Sequence, residues 1–256
     1  MKTGALHSIN NDLSIPVERY INFEQQYLLL RKKEERIYTD NELINLPHIN
    51  KAHPHYKEWL LRKHTADKLI SALKNQKRFL EILEVGCGNG WLTNRLSRQV
   101  NSKVTGLDIN STELEQAARV FKDNTACTFV YGDIRSGLLN HKKFDVIIFA
   151  ASIQYFSSLK EILGASQKFL KEGGAIYITD THFYTETTIE EARQKSKSYF
   201  TSLGYSGMSA MYFHHSLREL NNFHPVILYD PTSFKNRFVR SRSLFYRISI
   251  TKDVSI

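Results

Sequence analysis

A glycine-rich turn directly after an apolar segment is the feature that most constrains the fold of this chain. Phe79-Leu80-Glu81-Ile82-Leu83 is followed by Glu84-Val-Gly-Cys-Gly-Asn-Gly90, with glycines at three alternate positions. Glycine adopts positive φ angles and allows the backbone to approach a bulky ligand, because it has no Cβ. The segment therefore predicts a buried strand, a tight turn and a binding site for a nucleotide-like ligand.

The spacing of the glycines separates two kinds of cofactor. A dinucleotide-binding turn follows G-x-G-x-x-G or G-x-G-x-x-A, which would place a small residue at position 91. This chain has Gly86, Gly88 and Gly90 followed by Trp91, so the pattern disfavours NAD. It resembles the first motif of the class I S-adenosylmethionine-dependent methyltransferases, which is an acidic residue followed by G-x-G-x-G. Glu84 is that acidic residue.

Two more carboxylates end predicted strands further along the chain. Lys103-Val-Thr-Gly-Leu-Asp108 is a short apolar segment whose acid lies near the roughly 20-residue offset of a ribose-binding acid. Cys127-Thr-Phe-Val-Tyr-Gly-Asp133 is a third such segment. Ligands of open parallel sheets bind beyond the carboxyl ends of the strands, so these acids are expected to converge on one site.

The resemblance implies a cofactor and a role for each of these residues. It implies S-adenosylmethionine as cofactor, with S-adenosylhomocysteine as product, and it implies that Asp133 accepts a hydrogen bond from the adenine amino group. The spacing already assigns Asp108 to the ribose hydroxyls. The expected cofactor-binding residues are Glu84, Gly86, Gly88, Gly90, Asp108, Ile109, Asp133, Ile134 and Ala150.

Apolar segments alternate with helix-like patterns along this part of the chain. Lys143 to Phe149 is a near-continuous apolar run typical of a strand covered on both faces, and Lys171 to Ile178 is a glycine turn leading into a fifth strand. A capping box at Thr112 and Glu115 predicts a helix start. The alternation predicts an α/β, doubly wound, Rossmann-like fold with a mostly parallel sheet.

The resemblance implies a seven-stranded sheet whose last strand is antiparallel. We assign strands six and seven to Pro225–Tyr229 and Leu244–Ile250. Residues 79–256 are expected to form the methyltransferase domain, with an insertion at about 183–224. A capping box at Thr188 and Glu191 predicts a helix in that insertion, which ends near Gly204.

Residues 1–78 are expected to form an N-terminal helical extension that acts as a lid. Trp59, Ala66, Leu69, Ile70 and Leu73 form an apolar stripe predicted to pack on the sheet domain. Tyr56–Arg62 is the candidate lid, and Arg62 could pair either with the cofactor carboxylate or with a surface acid. The charged run Arg31–Arg36 is expected to be a solvated helix face.

Methyl transfer needs the acceptor atom and the methyl carbon held close together in a pocket that excludes water. A hydroxyl acceptor would also need a general base, and imidazole titrates near neutral pH. His182, which follows strand five, is the first catalytic candidate, His214 the second, and His215 a third. Gln154 and Tyr155 follow strand four and are expected to bind substrate. A structural role is the alternative for each of these residues.

Some acceptor chemistries are disfavoured by the sequence. Enzymes that methylate exocyclic amines of bases carry an Asn- or Asp-Pro-Pro-aromatic segment after strand four, and this chain reads Ala150-Ala-Ser-Ile153. The two cysteines, Cys87 and Cys127, do not occupy the nucleophile position of the C5-methylating enzymes. Two cysteines also supply neither a disulfide framework nor a zinc site, and we expect no metal.

Charge leaves a second class of function open. The chain of 256 residues has a formal net charge of +9, and the basic residues Lys235, Arg237, Arg240, Arg242 and Arg247 cluster near its C-terminus. We expect a small-molecule acceptor, with RNA as the alternative substrate and a non-catalytic cofactor-binding subunit as a third reading. The polar N-terminus and the lack of a long apolar run predict a cytoplasmic protein without a membrane partner.

Overall fold

The computed structural model describes residues 17–237 and 243–252. The N-terminal residues 1–16, on which part of the location prediction rests, lie outside the described residues. Arg240 and Arg242 of the predicted basic cluster lie outside them as well.

From residue 17 onward, three helices precede the sheet: α1 (Val17–Lys33), α2 (Asp40–Asn45) and α3 (Tyr56–Lys74). Helix α2 begins at a capping box in which Thr39 and Glu42 satisfy each other's backbone N–H groups. The predicted apolar stripe of α3 is confirmed, because all five of its residues are buried in a core shared with the sheet. Burial of this stripe fixes α3 beside the glycine turn.

The described residues form nine strands. They are β1 (Leu80–Val85), β2 (Ser102–Asp108), β3 (Cys127–Tyr131), β4 (Phe144–Ala150), β5 (Leu170–Thr181), β6 (Phe183–Tyr184), β7 (His215–Ser216), β8 (Val226–Tyr229) and β9 (Tyr246–Thr251). Seven of them form one sheet in the order β3-β2-β1-β4-β5-β9-β8. The first five are parallel, while β9 runs antiparallel to both β5 and β8. The predicted Rossmann-like fold with an antiparallel last strand is therefore confirmed.

Helices α4 (Trp91–Gln99), α5 (Ser111–Val120) and α6 (Leu159–Phe169) connect the parallel strands. Alternate residues of β1 enter different cores, since Leu83 and Val85 pack on one face of the sheet and Leu80 and Ile82 on the other. Both faces of the sheet are thus covered. This arrangement leaves the carboxyl ends of the parallel strands as the edge at which a ligand can bind.

The segment between β5 and β8 contains β6, helix α7 (Ile189–Ser202), β7 and two 3₁₀ helices, Ser206–Ala210 and Leu217–Phe223. Strands β6 and β7 pair with each other and form a separate small sheet. A short helix, α8 (Phe234–Arg237), follows β8.

The two predicted capping boxes do not form, although helices begin at Ser111 and Ile189. Helix α5 begins at Ser111, and its cap is Asn110, whose side chain accepts a hydrogen bond from the backbone N–H of Glu113. Asparagine is a stronger N-cap than threonine, and Asn110 lies two residues after the end of β2. At α7, the Thr188 hydroxyl contacts Thr185 at 2.9 Å and makes no cap bond to the helix.

Candidate functional site

The glycine turn after β1 is held in a left-handed backbone conformation. Gly86, Gly88 and Gly90 have φ angles of +75°, +52° and +72°. A Cβ at position 86 would lie 2.4 Å from Cβ of Ser152, and one at position 90 would lie 2.4 Å from the ring of Phe129. Two of the glycines are therefore needed for packing the turn itself. Gly86 and Gly88 also line cavities beside the turn.

Two cavities adjoin this turn. The first has a volume of about 180 Å³ and lies beyond the ends of β1, β2, β3 and β4, and the second, of about 80 Å³, lies between the turn, α1 and α3. The second cavity is more polar in its lining and includes arginine side chains. Residues that line both cavities are Tyr27, Gly86, Gly88, Glu113 and Ala151.

Asp108 ends β2 beside the first cavity. Its carboxylate accepts hydrogen bonds from the backbone N–H groups of Gly88, at 2.7 Å, and Asn110, at 2.8 Å. Burial raises the pKa of Asp108, and these N–H donors oppose that rise by stabilising the charged form. The two bonds fix the carboxylate against the glycine turn, and each oxygen keeps a further lone pair. Ile109 follows it along the cavity wall.

Asp133 lies past the end of β3, and its carboxylate is held by Arg135. The guanidinium donates from Nε to Oδ1 at 2.8 Å and from Nη2 to Oδ2 at 2.6 Å. The same guanidinium lies 5.7 Å from the ring centre of Phe156. Asp133, Ile134, Arg135 and Phe156 all line the first cavity. Arg135 is not among the predicted site residues, although a basic residue two positions after an acid is visible in the sequence.

Glu84 is buried at the base of the turn. Its Oε2 accepts a hydrogen bond from the Thr93 hydroxyl at 2.5 Å, which ties the end of β1 to the first turns of α4. Burial raises the pKa of Glu84 to about 8, with a smaller contribution from the nearby charge of Asp108. Glu84 borders the second cavity.

Helix α1 covers the first cavity. Phe23 and Tyr27 line it, and Glu24 accepts hydrogen bonds from the backbone N–H and the hydroxyl of Ser111, both at 2.7 Å. Tyr27 also makes an edge-on ring contact with Tyr155 at 5.8 Å. The lid within residues 1–78 was predicted at Tyr56–Arg62, whereas the helix that covers the first cavity is α1. Its aromatic pair at i and i+4 was the available signal.

The second cavity is bordered by a network of ion pairs. Arg31 and Arg36 both contact Glu34, at 3.1 and 3.3 Å, and Arg36 contacts Glu58 at 2.6 Å. The side chain of Glu34 is 9% exposed, so the prediction that the Arg31–Arg36 run is a solvated face is wrong for these three residues. They face inward because Glu34 also accepts a hydrogen bond from Tyr199 of α7, at 2.5 Å, and Arg36 pairs with Glu58 of α3.

Arg62 extends this network toward the glycine turn. It donates from Nε to Glu58 at 2.9 Å, and its guanidinium lies 5.4 Å from the ring centre of Trp59. Trp59 in turn packs edge-on against Trp91 at 5.1 Å. Arg62, Glu58 and Trp59 all line the second cavity. The predicted lid segment thus contributes a wall of this cavity through its charged side chains.

None of the predicted catalytic histidines lines either cavity. The ring of His182 packs on Phe245 at 4.6 Å, and burial lowers its pKa. His214 contacts the Ser196 hydroxyl through Nε2 at 2.8 Å, and His215 lies 3.7 Å from Glu219. A general base must come within hydrogen-bond reach of the proton that it removes. This geometry does not support either His182 or His214 as a base.

The two predicted substrate residues after β4 have different surroundings. The Gln154 amide donates to the carbonyl of Ala151 at 2.6 Å and accepts from the Thr181 hydroxyl at 3.0 Å, and it lines neither cavity. Its bonds join the ends of β4 and β5. Tyr155 does line the first cavity, and its hydroxyl accepts from Arg31 at 3.3 Å. Ala150 borders the second cavity.

A family model described as a methyltransferase domain matches residues 76–227, which is more than half of the chain. The chain belongs to the class I S-adenosylmethionine-dependent methyltransferases. The matched range contains the glycine turn and all three strand-end acids. The cofactor of this methyltransferase family is S-adenosylmethionine, and the groups at the site fit it: a glycine turn whose backbone can approach the ligand, a carboxylate that can accept from hydroxyl groups, and arginines that can donate to a carboxylate.

Relatives and solved structures agree with this methyltransferase assignment. The malonyl-[acyl-carrier protein] O-methyltransferase 2 of Ilyobacter polytropus is 29% identical over 153 residues, which cover 59% of this chain and 58% of that protein. The chain thus spans little more than half the length of that curated relative. Magnesium protoporphyrin IX methyltransferase (ChlM) from Synechocystis PCC 6803, solved with S-adenosylhomocysteine, aligns with a TM-score of 0.59 and 14% identity over 92% of this chain and 99% of its own.

A third protein aligns over a similar length. The plantazolicin methyltransferase BpumL, also solved with S-adenosylhomocysteine, gives a TM-score of 0.56 and 16% identity over 93% of this chain and 98% of its own. At these identities the two structures show that the methyltransferase shares their fold. Within residues 17–237 and 243–252, no helix has the length and apolar character needed to cross a membrane.

Proposed function

We propose that this methyltransferase transfers a methyl group from S-adenosylmethionine to a small-molecule acceptor. The observation that carries the proposal is the pair of cavities that meet at the glycine turn. One cavity is lined by Asp108, Asp133 and apolar side chains, and the other by arginines. A ligand with an adenosyl group at one end and an amino acid at the other needs this pair of environments.

The adenosyl group is assigned to the first cavity. In this assignment, Asp108 accepts from the ribose hydroxyls and Asp133 from the adenine amino group, while Ile109 and Ile134 contact the base. Arg135 competes for the carboxylate of Asp133 and holds it at the cavity wall.

The methionine part is assigned to the second cavity. Arg62 is the proposed partner of its carboxylate, since the guanidinium lines that cavity and has donors beyond the one bonded to Glu58. Glu84 lies at the base of the same cavity, and Gly86 and Gly88 border it with backbone alone. Ala150 completes the wall on the β4 side.

When bound, the cofactor supplies an already activated methyl group. The protein then has to orient the acceptor and exclude water. Phe23 and Tyr27 of α1, Tyr155, and Met211 and Phe213 of the segment between β5 and β8 enclose the first cavity with large side chains. We propose that residues 1–78 and the insertion at about 183–224 together form this cover, and that the residues from 79 onward form the domain beneath it.

The acceptor atom is proposed to arrive already nucleophilic. Burial raises the pKa of Tyr155, and the same cause raises the pKa of Tyr27 and Tyr212, so these phenols stay protonated near neutral pH. Neither His182 nor His214 lines the cavities. An ionised carboxylate or a similar acceptor needs no base. The malonyl group named in the relative from Ilyobacter polytropus makes carboxylate acceptors the first compounds to test.

RNA is the second candidate, and the basic C-terminal residues give it less support than their number suggests. Arg247 is not displayed on a flat surface, because its guanidinium stacks 5.2 Å from the ring centre of Tyr229 and burial lowers its pKa. Arg240 and Arg242 lie outside the described residues. A cytoplasmic location and a non-catalytic binding role stay predictions.

A transfer assay with methyl-labelled S-adenosylmethionine tests the proposal. Carboxylic acids, carrier-bound acids, other metabolites and total RNA are offered in parallel at two salt concentrations. We expect label in a small acceptor, with a rate that changes little with salt. Label in RNA that falls steeply as salt rises would favour the second candidate. Cofactor binding without transfer to any pool would favour the non-catalytic role.

A further inference from the structure

The junction of the two cavities is where the sulfur of the cofactor would lie, an inference that rests on the proposed function. The sulfur of S-adenosylmethionine joins the adenosyl group to the methionine chain. If these groups occupy the first and second cavities, the sulfur lies at their junction. Its positive charge distinguishes the substrate from S-adenosylhomocysteine, which carries a neutral thioether.

Five residues line both cavities, and Glu113 is the one among them with a carboxylate. Glu113 lies in the first turn of α5, and its Oε2 accepts a hydrogen bond from Asn110 Nδ2 at 3.2 Å. The same oxygen would lie 3.3 Å from a Cβ built on Gly88. The carboxylate is therefore packed directly against the glycine turn.

Tyr27 is the other side chain at the junction that can attract a cation. Tyr27 belongs to α1 and lines both cavities, as Glu113 of α5 does. Aromatic faces attract cations, and a carboxylate in an enclosed site attracts them more strongly. A positive charge at this junction thus has favourable partners, whereas a neutral thioether has none that depend on charge.

We propose that Glu113 is a specificity residue that favours the sulfonium of S-adenosylmethionine over the neutral thioether of S-adenosylhomocysteine. Its carboxylate provides the negative charge at the cavity junction. This gives the protein a means to bind the substrate and to release the product, since the attraction ends when the methyl group and the charge leave together.

The charged groups around Glu113 determine its response to pH. Asp108 on β2 and Glu24 on α1 disfavour its ionised form, while Arg31 on α1 and Arg62 on α3 favour it. Burial is the largest cause, and together these raise the pKa of Glu113 to about 7. A cation at the junction shifts the balance toward the carboxylate. Binding of S-adenosylmethionine near pH 7 is then expected to release roughly half a proton.

The test compares the two ligands by titration calorimetry on the wild-type protein and on Glu113→Gln. The amide keeps the shape and the acceptor for Asn110 but removes the charge. We expect the affinity for S-adenosylmethionine to fall at least about tenfold and that for S-adenosylhomocysteine to change by less than about threefold. Glu115→Gln removes the same charge from an exposed position of α5 and is expected to change neither affinity.

If Glu113→Gln loses affinity equally for the two ligands, or loses none for either, the proposed role of Glu113 is overturned. A second measurement needs no variant: proton release by the wild-type protein, from calorimetry in buffers of different ionisation enthalpy. Release with S-adenosylmethionine must exceed that with S-adenosylhomocysteine, and equal release would contradict the proposal. Failure of the wild-type protein to bind either ligand would instead refute the proposed function.

Discussion

Glu24 of α1 accepts two hydrogen bonds from Ser111 of α5, from its backbone N–H and from its hydroxyl, each at 2.7 Å. The carboxylate lies at the N-terminus of α5, where unpaired N–H groups and the helix dipole stabilise a negative charge. This contact joins the N-terminal helix to the element that follows Asp108. It anchors Phe23 and Tyr27 over the first cavity.

Loss of this anchor is expected to speed cofactor release. Glu24→Ala removes charge-assisted hydrogen bonds of about 1.5–3 kcal/mol each, so the dissociation rate of S-adenosylhomocysteine is predicted to rise at least tenfold. Gln25→Ala, an exposed neighbour on α1, is the matched control. Stopped-flow displacement measures both rates. Identical rates in Glu24→Ala and in the control would show that α1 does not hold the ligand.

A methyl group at Gly90 is expected to destabilise the fold. The left-handed backbone at φ +72° disfavours alanine, and the new Cβ would lie 2.4 Å from Phe129. We predict that Gly90→Ala lowers the free energy of unfolding by about 2–4 kcal/mol. Gly164→Ala in α6, where no atom beyond the neighbouring residues and the helix backbone lies within 4 Å of the added Cβ, is expected to be neutral or stabilising. Urea denaturation compares the two, and similar stabilities would contradict this packing account.

Buried Glu84 is expected to make stability depend on pH. Its pKa is raised by burial from 4.5 to about 8, so the folded state binds its proton more tightly than the unfolded state does. The contribution of Glu84 to the free energy of unfolding is present in full below about pH 4.5 and is lost as pH rises toward 8. Over that range the free energy of unfolding falls with a limiting slope of about 1.4 kcal/mol per pH unit. Glu84→Gln should remove this slope and keep the acceptor for Thr93. Parallel curves for variant and wild type, from denaturation at several pH values, would refute it.

His182 is expected to be dispensable for the chemical step. Its ring packs on Phe245 and lines neither cavity, so His182→Ala is predicted to lower kcat by less than about threefold once an acceptor is known. The pH profile of kcat should be the same in wild type and variant. A loss of 10²-fold or more, with loss of a pKa near that of histidine, would restore His182 as the general base.

The sequence predicted the parts of the site that are local in the chain. The glycine turn and the acids at 108 and 133 each follow directly from a strand, and parallel strands bring their ends together by geometry. The parallel direction of the first five strands of the sheet follows from the same alternation of strand and helix. Patterns among residues close together in the sequence were sufficient to predict these features.

The parts that were missed depend on contacts between distant segments. Glu24 and Ser111, or Arg31 and Tyr155, meet only because α1 packs across the strand ends, and no local pattern encodes that docking. The run from Arg31 to Arg36 has the composition of a solvated face, and burial against α3 and α7 overrides that preference. His182 was placed by its position after β5, but its side chain points to Phe245 instead of the cavities.

Calorimetric titration of the wild-type protein and of Asp108→Ala with S-adenosylhomocysteine and with NAD tests the central claim most directly. We predict one S-adenosylhomocysteine bound per chain, no NAD, and a loss of about 1.5–3 kcal/mol or more of binding free energy in Asp108→Ala, because its carboxylate is assigned to the ribose hydroxyls. Asp123→Ala, at an exposed position, should bind like wild type. Binding of NAD in place of S-adenosylhomocysteine, or unchanged affinity in Asp108→Ala, would contradict the account.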